Sequence, residues 1–172
     1  MPRLKVEEIE RIRKGEITLA QVVKMSPKQV AALLITGHKL YQQGRLKDAT
    51  NIFEGIALLA GSTAYAHGIL GTICQKQNKH ELAVKHYSEA LNLFPQDMNS
   101  LTNRGEVYIR LGKFPEAATD LAKAIQLDPS KKHPAANRAR LLVCLVQDAV
   151  QLAKEKGTQA LDQERQKARR AS

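Results

Sequence analysis

Two consecutive stretches of 34 residues decide how this chain folds. Residues 64–97 read AYAHGILGTICQKQNKHELAVKHYSEALNLFPQD, and residues 98–131 read MNSLTNRGEVYIRLGKFPEAATDLAKAIQLDPSK. When the two are written one above the other, small residues and a closing proline fall in register: Gly71 with Gly105, Ala83 with Ala117, and Pro95 with Pro129. This self-similarity predicts two copies of one structural unit.

A third copy precedes them over residues 30–63, with Gly37, Ala49 and Phe53 at the matching positions. A period of this length is typical of helix–turn–helix repeats, which stack because one unit cannot bury its apolar face alone. The glycine lets the first helix approach the second closely, the alanine does the same from the second helix, and the residue at the Phe53 position fills the space between units. We therefore predict an all-α protein built as a curved solenoid of three helical hairpins.

Short turns are predicted between the two helices of each unit. Each turn contains Gly or Asn, which favour the left-handed backbone conformation that often ends a helix. The turn sequences are QGRL at 43–46, QNKH at 77–80 and LGKF at 111–114. Pro95 and Pro129 are expected to end the second helices, because proline lacks the backbone donor. Gly61 stands where the other units have proline, so we expect a looser first junction.

The segments on either side of the repeats are predicted as separate elements. Residues 1–29 contain charged pairs four residues apart and a short apolar stretch, which indicate N-terminal helices. Ser26 followed by Pro27 predicts the start of the first repeat helix. Residues 132–156 are expected to form a helix that caps the solenoid, and residues 157–172 a basic tail. The apolar face of the capping helix is predicted to contain Leu141, Leu142, Leu145, Val146, Val150 and Leu152.

Composition and charge narrow the class of protein. The chain has 172 residues, of which 43% are hydrophobic, and a formal net charge of +10; it is therefore globular rather than disordered, and the charge favours an acidic or anionic partner. No apolar run approaches the roughly 18 residues of a membrane helix, and no secretory signal is found at the N-terminus. We expect a cytoplasmic protein that does not insert into membranes. Cys74 and Cys144 fit a reducing compartment, and both are expected to be buried apolar side chains.

The sequence contains no pattern typical of an enzyme. Gly105, Gly112 and Lys113 have the wrong spacing for a phosphate-binding loop, and no Ser or Thr follows the lysine. His80 and His86 lie on different faces of one helix, whereas a zinc-binding helix needs histidines four residues apart. We therefore predict no catalytic residues, no metal site and no cofactor.

The inner helices of a curved solenoid line its concave side, and the repeat positions not needed for packing should face it. These are Ala31, Leu34, Ile35, His38, Tyr41 and Gln42, then Tyr65, Gly68, Ile69, Thr72, Gln75 and Lys76, then Asn99, Thr102, Asn103, Glu106, Ile109 and Arg110. The first two units are apolar and aromatic here, and the third is polar. An apolar concave surface on a charged protein indicates a partner site, unless the N-terminal segment folds back to fill it. The predicted peptide-binding residues are Leu34, Ile35, His38, Tyr41, Tyr65, Ile69, Thr72, Asn103 and Glu106.

The 34-residue pattern resembles the tetratricopeptide repeat. Adaptors of this family that grip the C-terminal carboxylate of heat-shock chaperones use Lys and Asn in the groove. The matching positions carry no cation in this sequence, so a carboxylate clamp is not expected; they are Leu34, His38, Ile69, Asn99 and Asn103.

Sequence outside the shared repeat positions narrows the resemblance. GEITLAQVVKMSPKQ at 15–29 and GHKLYQQGRLKDATNIFEGIALL at 37–59, with three repeats and a C-terminal helix, are similar to the class II chaperones of bacterial type III secretion systems. The resemblance implies a non-enzymatic, cytoplasmic, bacterial chaperone that holds a short extended apolar segment of a translocator protein, with Tyr41 of YQQG taking part. It also implies a tendency to form homodimers, for which residues 1–29 are the candidate element.

Two other functions stay open at this point. One is a general tetratricopeptide scaffold or adaptor that joins folded partners. The other is a nucleic-acid-associated protein, motivated by the charge alone. Because the basic residues are scattered and the tail has no aromatic side chain on which bases could stack, nucleic-acid binding is the least favoured of the three.

Overall fold

The structure, a computed structural model, describes residues 25–59 and 63–148, and in addition Glu7, Glu10, Arg11, Lys14, Glu16, Ile17, Gln21 and Gln151. Within the two long ranges the chain forms helices joined by short turns and has no strand. The helices are α1 (Pro27–Gln42), α2 (Leu46–Leu59), α3 (Ala64–Lys76), α4 (His80–Leu93), α5 (Met98–Arg110) and α6 (Phe114–Gln126), followed by α7 over residues 134–148. From α1 to α6 each helix packs on the next, and α3 also touches α5. The predicted all-α solenoid of helical hairpins is confirmed.

Local sequence sets the ends of these helices. The Ser26 hydroxyl accepts a hydrogen bond from the Gln29 backbone N–H at 3.3 Å, and the Gln29 side chain accepts one from the Ser26 N–H at 2.8 Å. Pro27 occupies the first turn of α1, as predicted; such a cap stabilises a helix by about 1 kcal/mol. Each hairpin turn contains the predicted left-handed residue: Gly44 at φ 75°, Asn78 at φ 58° and Gly112 at φ 71°.

The two helices of each pair meet where the sequence places glycine. A Cβ atom added to Gly71 would lie 2.7 Å from the ring of Tyr87, which is closer than carbon atoms can approach. The other two pairs repeat this arrangement, with 2.8 Å from Gly37 to Ile52 and 2.9 Å from Gly105 to Leu121. The alanines across the helix pair are also buried, as predicted; they are Ala49, Ala83 and Ala117.

Burial on α7 differs from the prediction. Ala135 and Ala139 are buried, and Leu142 packs on the same apolar cluster. Leu141 and Leu145 are 65% and 64% exposed, because at 100° per residue they point more than 100° away from the mean direction of the buried Ala135, Ala136 and Ala139. Small alanine side chains allow α7 to approach the solenoid closely, so they make the contact in place of the larger leucines.

The two cysteines also have different environments. Cys74 is buried between α3 and α4, as predicted, whereas Cys144 is exposed on α7, so its predicted burial was wrong. Val150, Leu152, the junction at Gly61, the tail over 157–172 and nearly all of residues 1–24 lie outside the described residues. In the part of the chain that is described, no helix is long and apolar enough to cross a bilayer.

An ion pair that was not anticipated joins three helices. The Arg104 guanidinium on α5 donates to both carboxylate oxygens of Asp120 on α6, at 2.7 and 2.8 Å. It also donates to the Ser88 hydroxyl on α4 at 2.8 Å. Asp120 is buried, and burial without a partner would destabilise a carboxylate strongly. Sequence alone offered no signal for this pairing, since neither position repeats in the other units.

Candidate functional site: a groove along the inner helices

A cavity of about 740 Å³ opens between α1 and α3. We call it the apolar cavity; its lining residues are Leu34, Ile35, His38, Lys39, Gln42 and Tyr65. The α1 residues recur every three or four positions, so one face of this helix supplies most of the wall. Two large hydrophobic side chains of this wall are open to solvent: Ile35 is 71% exposed, and Tyr65 is half-exposed.

Tyr65 is held in place from two sides. Its ring meets Phe53 of the core edge-on, with the ring centroids 6.2 Å apart. Its hydroxyl lies 3.3 Å from Nδ1 of His38 on the opposite helix. Partial burial raises the pKa of the Tyr65 phenol further above neutral pH, and the protonated hydroxyl can donate a hydrogen bond. The cavity therefore has a pre-formed wall with one polar edge.

A smaller cavity of about 220 Å³ continues the concave surface between α3 and α5. We call it the middle cavity, lined by Tyr65, Gly68, Ile69, Thr72, Asn99, Ser100 and Asn103. Gly68 matters here, since a Cβ added to it would already be 3.4 Å from the Ser100 hydroxyl. A larger residue at position 68 would fill the space between the two helices.

A third cavity of about 330 Å³ is polar and positively charged. We call it the basic pocket, lined by Thr72, Gln75, Lys76, Asn78, Asn103, Glu106, Arg110 and Arg138. The apolar and middle cavities share Tyr65, and the middle cavity and basic pocket share Thr72 and Asn103. The three are thus one continuous groove along α1, α3 and α5, referred to below as the groove.

The structure brings most of the predicted peptide-binding residues together in this groove. Those that line it are Leu34, Ile35, His38, Tyr65, Ile69, Thr72, Asn103 and Glu106. Tyr41 is not among the lining residues. It packs against the core cluster that α2 and α3 form, and Lys76 Nζ lies 4.3 Å above its ring.

Two further residues were assigned to the concave surface from their position in the repeat, but they lie elsewhere. Thr102 is fully buried, and its hydroxyl donates to the Ala135 carbonyl at 3.1 Å. Ile109 packs on the cluster that contains Leu121. The reason is α7, which packs against the third repeat and covers side chains that are open in the earlier ones.

Repeat position also missed four residues of the groove: Lys39, Asn78, Ser100 and Arg138. Asn78 lies in a turn, and Arg138 lies on α7, which has no place in the 34-residue register. Lys39 is adjacent to the expected position His38 and could have been found by its spacing of four from Ile35.

Other titratable groups lie close together outside the groove. Nδ1 of His67 and Nδ1 of His86 are 3.4 Å apart, between α3 and α4. Burial lowers the pKa of both imidazoles, and for His86 the neighbouring His67 lowers it further. Across the described residues, no group of three or more His, Cys, Asp or Glu side chains is arranged to hold a metal ion.

Comparison with known proteins agrees with this architecture. Models of the tetratricopeptide repeat match residues 62–130 and residues 102–168. Hsp70-Hsp90 organizing protein 3 of Arabidopsis thaliana is 47% identical over 55 residues, which are 32% of this chain and 10% of that protein. The chain therefore spans about a tenth of the length of the first curated relatives it matches.

Solved structures resemble a much larger part of the chain. A type III secretion complex from Aeromonas hydrophila superposes with a TM-score of 0.75 at 23% identity, over 83% of this chain and 97% of that one. The Yersinia enterocolitica type III secretion chaperone SycD, solved with a peptide of the translocator YopD, superposes with a TM-score of 0.65 at 22% identity, over 76% of this chain and 98% of that one. At these identities the likeness shows a shared fold.

Proposed function

We propose that this tetratricopeptide-repeat protein works without catalysis, by holding an extended apolar segment of a partner protein in the groove. The partner is of the translocator type, and the complex is a cytoplasmic chaperone complex of a bacterial type III secretion system. The apolar cavity carries this proposal, because it exposes Ile35, Leu34 and Tyr65 side by side on a protein whose net charge is +10. The SycD complex with a YopD peptide supports it, as a chaperone of the same fold.

The dimensions of the groove suit a short extended segment. Packed helices lie about 8–10 Å apart, so three inner helices span roughly 16–20 Å. An extended chain rises about 3.3 Å per residue, and five or six residues therefore cover the groove. Each large apolar side chain buried contributes about 1.5–3 kcal/mol, so three anchors give roughly micromolar affinity after the cost of ordering the segment.

The experiment that tests this is a selection of displayed 12-residue random peptides on the purified protein. We expect the enriched peptides to carry large apolar residues one or two positions apart. A synthetic peptide with the enriched sequence should lose at least tenfold in affinity when Ile35 is replaced by aspartate (I35D), since the variant places a charge in the apolar cavity.

The matched control is Leu58→Asp. Leu58 is 72% exposed, nearly the same as Ile35 at 71%, but it lies on α2 and does not line the groove. Both substitutions are at exposed sites and should leave the helical circular dichroism spectrum intact. Equal affinity of I35D and wild type for the selected peptide would refute the groove as the binding site.

A general scaffold is the second candidate, favoured by the local match to Hsp70-Hsp90 organizing proteins. A scaffold that docks folded partners through its basic exterior should bind more weakly as salt screens the charges. Binding of an apolar segment should persist at high salt. A salt titration of the same peptide complex therefore separates the two functions.

A further inference from the structure

The basic pocket holds more positive than negative charge. Its cations are Lys76, Arg110 and Arg138, and its one carboxylate is that of Glu106. Glu106 lies between the two arginines, with Oε1 3.1 Å from Arg110 Nη2 and Oε2 4.0 Å from Arg138 Nε. One carboxylate therefore serves two guanidinium groups, and the cations exceed the anions by two.

Lys76 adds charge that no acidic side chain compensates within the described residues. Its ammonium lies 4.3 Å above the Tyr41 ring, a cation–π contact that positions the group but leaves its charge in place. The Glu106 carboxylate is thus engaged by arginine, and Lys76 is available to an anion that enters the groove.

The polar side chains beside these cations are also arranged as donors. The Gln75 carbonyl oxygen accepts a hydrogen bond from the Tyr87 hydroxyl at 2.9 Å. The Asn103 carbonyl oxygen accepts one from the Arg138 guanidinium. Because both oxygens are already accepting, the two side chains offer N–H donors to a ligand. Donors grouped with cations favour an oxyanion.

We propose that the basic pocket binds an acidic side chain, Asp or Glu, of the same partner segment whose apolar residues occupy the apolar cavity. This inference rests on the proposed function, since it assigns a second feature to the same ligand. The basic pocket and middle cavity share lining residues, so a segment anchored at Ile35 reaches Lys76 within about six residues of extended chain.

A carboxylate fits this pocket better than the backbone of a nucleic acid. Single strands carry a phosphate at every nucleotide and need cations along the whole groove. The cations of this groove are instead concentrated in the basic pocket, and the apolar cavity offers only Lys39 among its lining residues. One acidic residue next to apolar anchors matches the observed distribution of charge.

The test uses the peptide selected above, synthesised with Glu or Gln at each position flanking the apolar anchors. In low salt we expect one Glu peptide to bind about two- to fivefold more tightly than its Gln partner, the range that partly exposed ion pairs provide. The ratio should fall towards one at high salt, because these charges are screened. The double variant Lys76→Glu/Arg110→Glu should abolish or invert the ratio. The charge-matched control is Lys47→Glu/Lys85→Glu, at exposed positions on α2 and α4 outside the groove, and it should preserve the ratio.

Each outcome decides the question. Suppose that the Glu and Gln peptides bind the wild-type protein tightly and with equal affinity at every position tested. This result overturns the acidic-residue proposal but is compatible with the groove function. If I35D binds both peptides as tightly as the wild-type protein does, the groove function itself is overturned. A single-stranded oligonucleotide that displaces the peptide at physiological salt would show that the pocket serves nucleic acid, and would also overturn the proposal.

Discussion

Replacing Gly71 by alanine should destabilise the protein, although alanine is the better helix former. The added Cβ would lie 2.7 Å from two ring carbons of Tyr87. That ring is fully buried, and its hydroxyl donates to the Gln75 side-chain oxygen at 2.9 Å and lies 3.2 Å from the Thr72 hydroxyl. The ring therefore cannot move by the roughly 1 Å required for normal van der Waals contact without breaking these hydrogen bonds or separating α3 from α4.

The size of the effect follows from opposing contributions. Overpacking a core costs about 1–3 kcal/mol, and weakening the Tyr87 hydrogen bonds costs about 1 kcal/mol more. Replacing glycine by alanine inside a helix returns about 1 kcal/mol. We expect the free energy of unfolding to fall by about 2 kcal/mol, read from the midpoint of urea unfolding followed by far-ultraviolet circular dichroism at unchanged slope.

Gly55 provides the matched control within the same chain. It lies inside α2, and no heavy atom is within 4 Å of a Cβ added there. Gly55→Ala should therefore stabilise the protein by about 0.5–1 kcal/mol, the helix propensity difference alone. A Gly71→Ala protein as stable as wild type, or equal shifts for the two variants, would refute close approach at Gly71 as the feature that joins the helix pair.

Two further predictions concern the Arg104–Asp120 ion pair and the neighbouring histidines His67 and His86. Arg104→Met should lower the free energy of unfolding by about 3 kcal/mol, because it leaves the Asp120 carboxylate buried without its partner. The double variant Arg104→Met/Asp120→Leu should recover most of this loss in the same urea assay. A double variant no more stable than the single one would contradict the prediction. The free energy of unfolding should fall as pH drops from about 7 to about 5.5, because burial lowers the pKa of His67 and His86 in the folded state and the unfolded chain then binds more protons. His86→Gln should flatten this dependence, and an unchanged slope would contradict the assignment.

Some features of the groove were accessible from sequence because they repeat. Ile35 and Ile69 occupy the same position in two units, and helical periodicity alone directs both to the concave side. The left-handed turn residues were accessible for a similar reason, since Gly44 and Asn78 act through their own backbone conformation. Sequence patterns are enough to predict features that depend on a residue's own backbone conformation or on residues a fixed number of positions away in the chain.

Features that depend on contact between distant segments were not accessible. Tyr41 of the YQQG stretch was expected to take part in binding, yet Lys76 from the next repeat lies over its ring, and the side chain is not part of the groove wall. Arg138 enters the basic pocket from α7, which follows no repeat register. Leu145 belongs to an apolar pattern but points outward, because the alanines of the same helix make the closer approach.

By itself, the amino-acid sequence determined that this chain forms antiparallel helix pairs that stack, because a 34-residue period places glycine, alanine and a large apolar residue where neighbouring helices must touch. The tertiary structure decided which side chains remain open to a ligand and where positive charge collects. Exposure and electrostatic potential depend on what the next helix covers, and that is set by the packing of whole elements rather than by any single residue's place in the repeat.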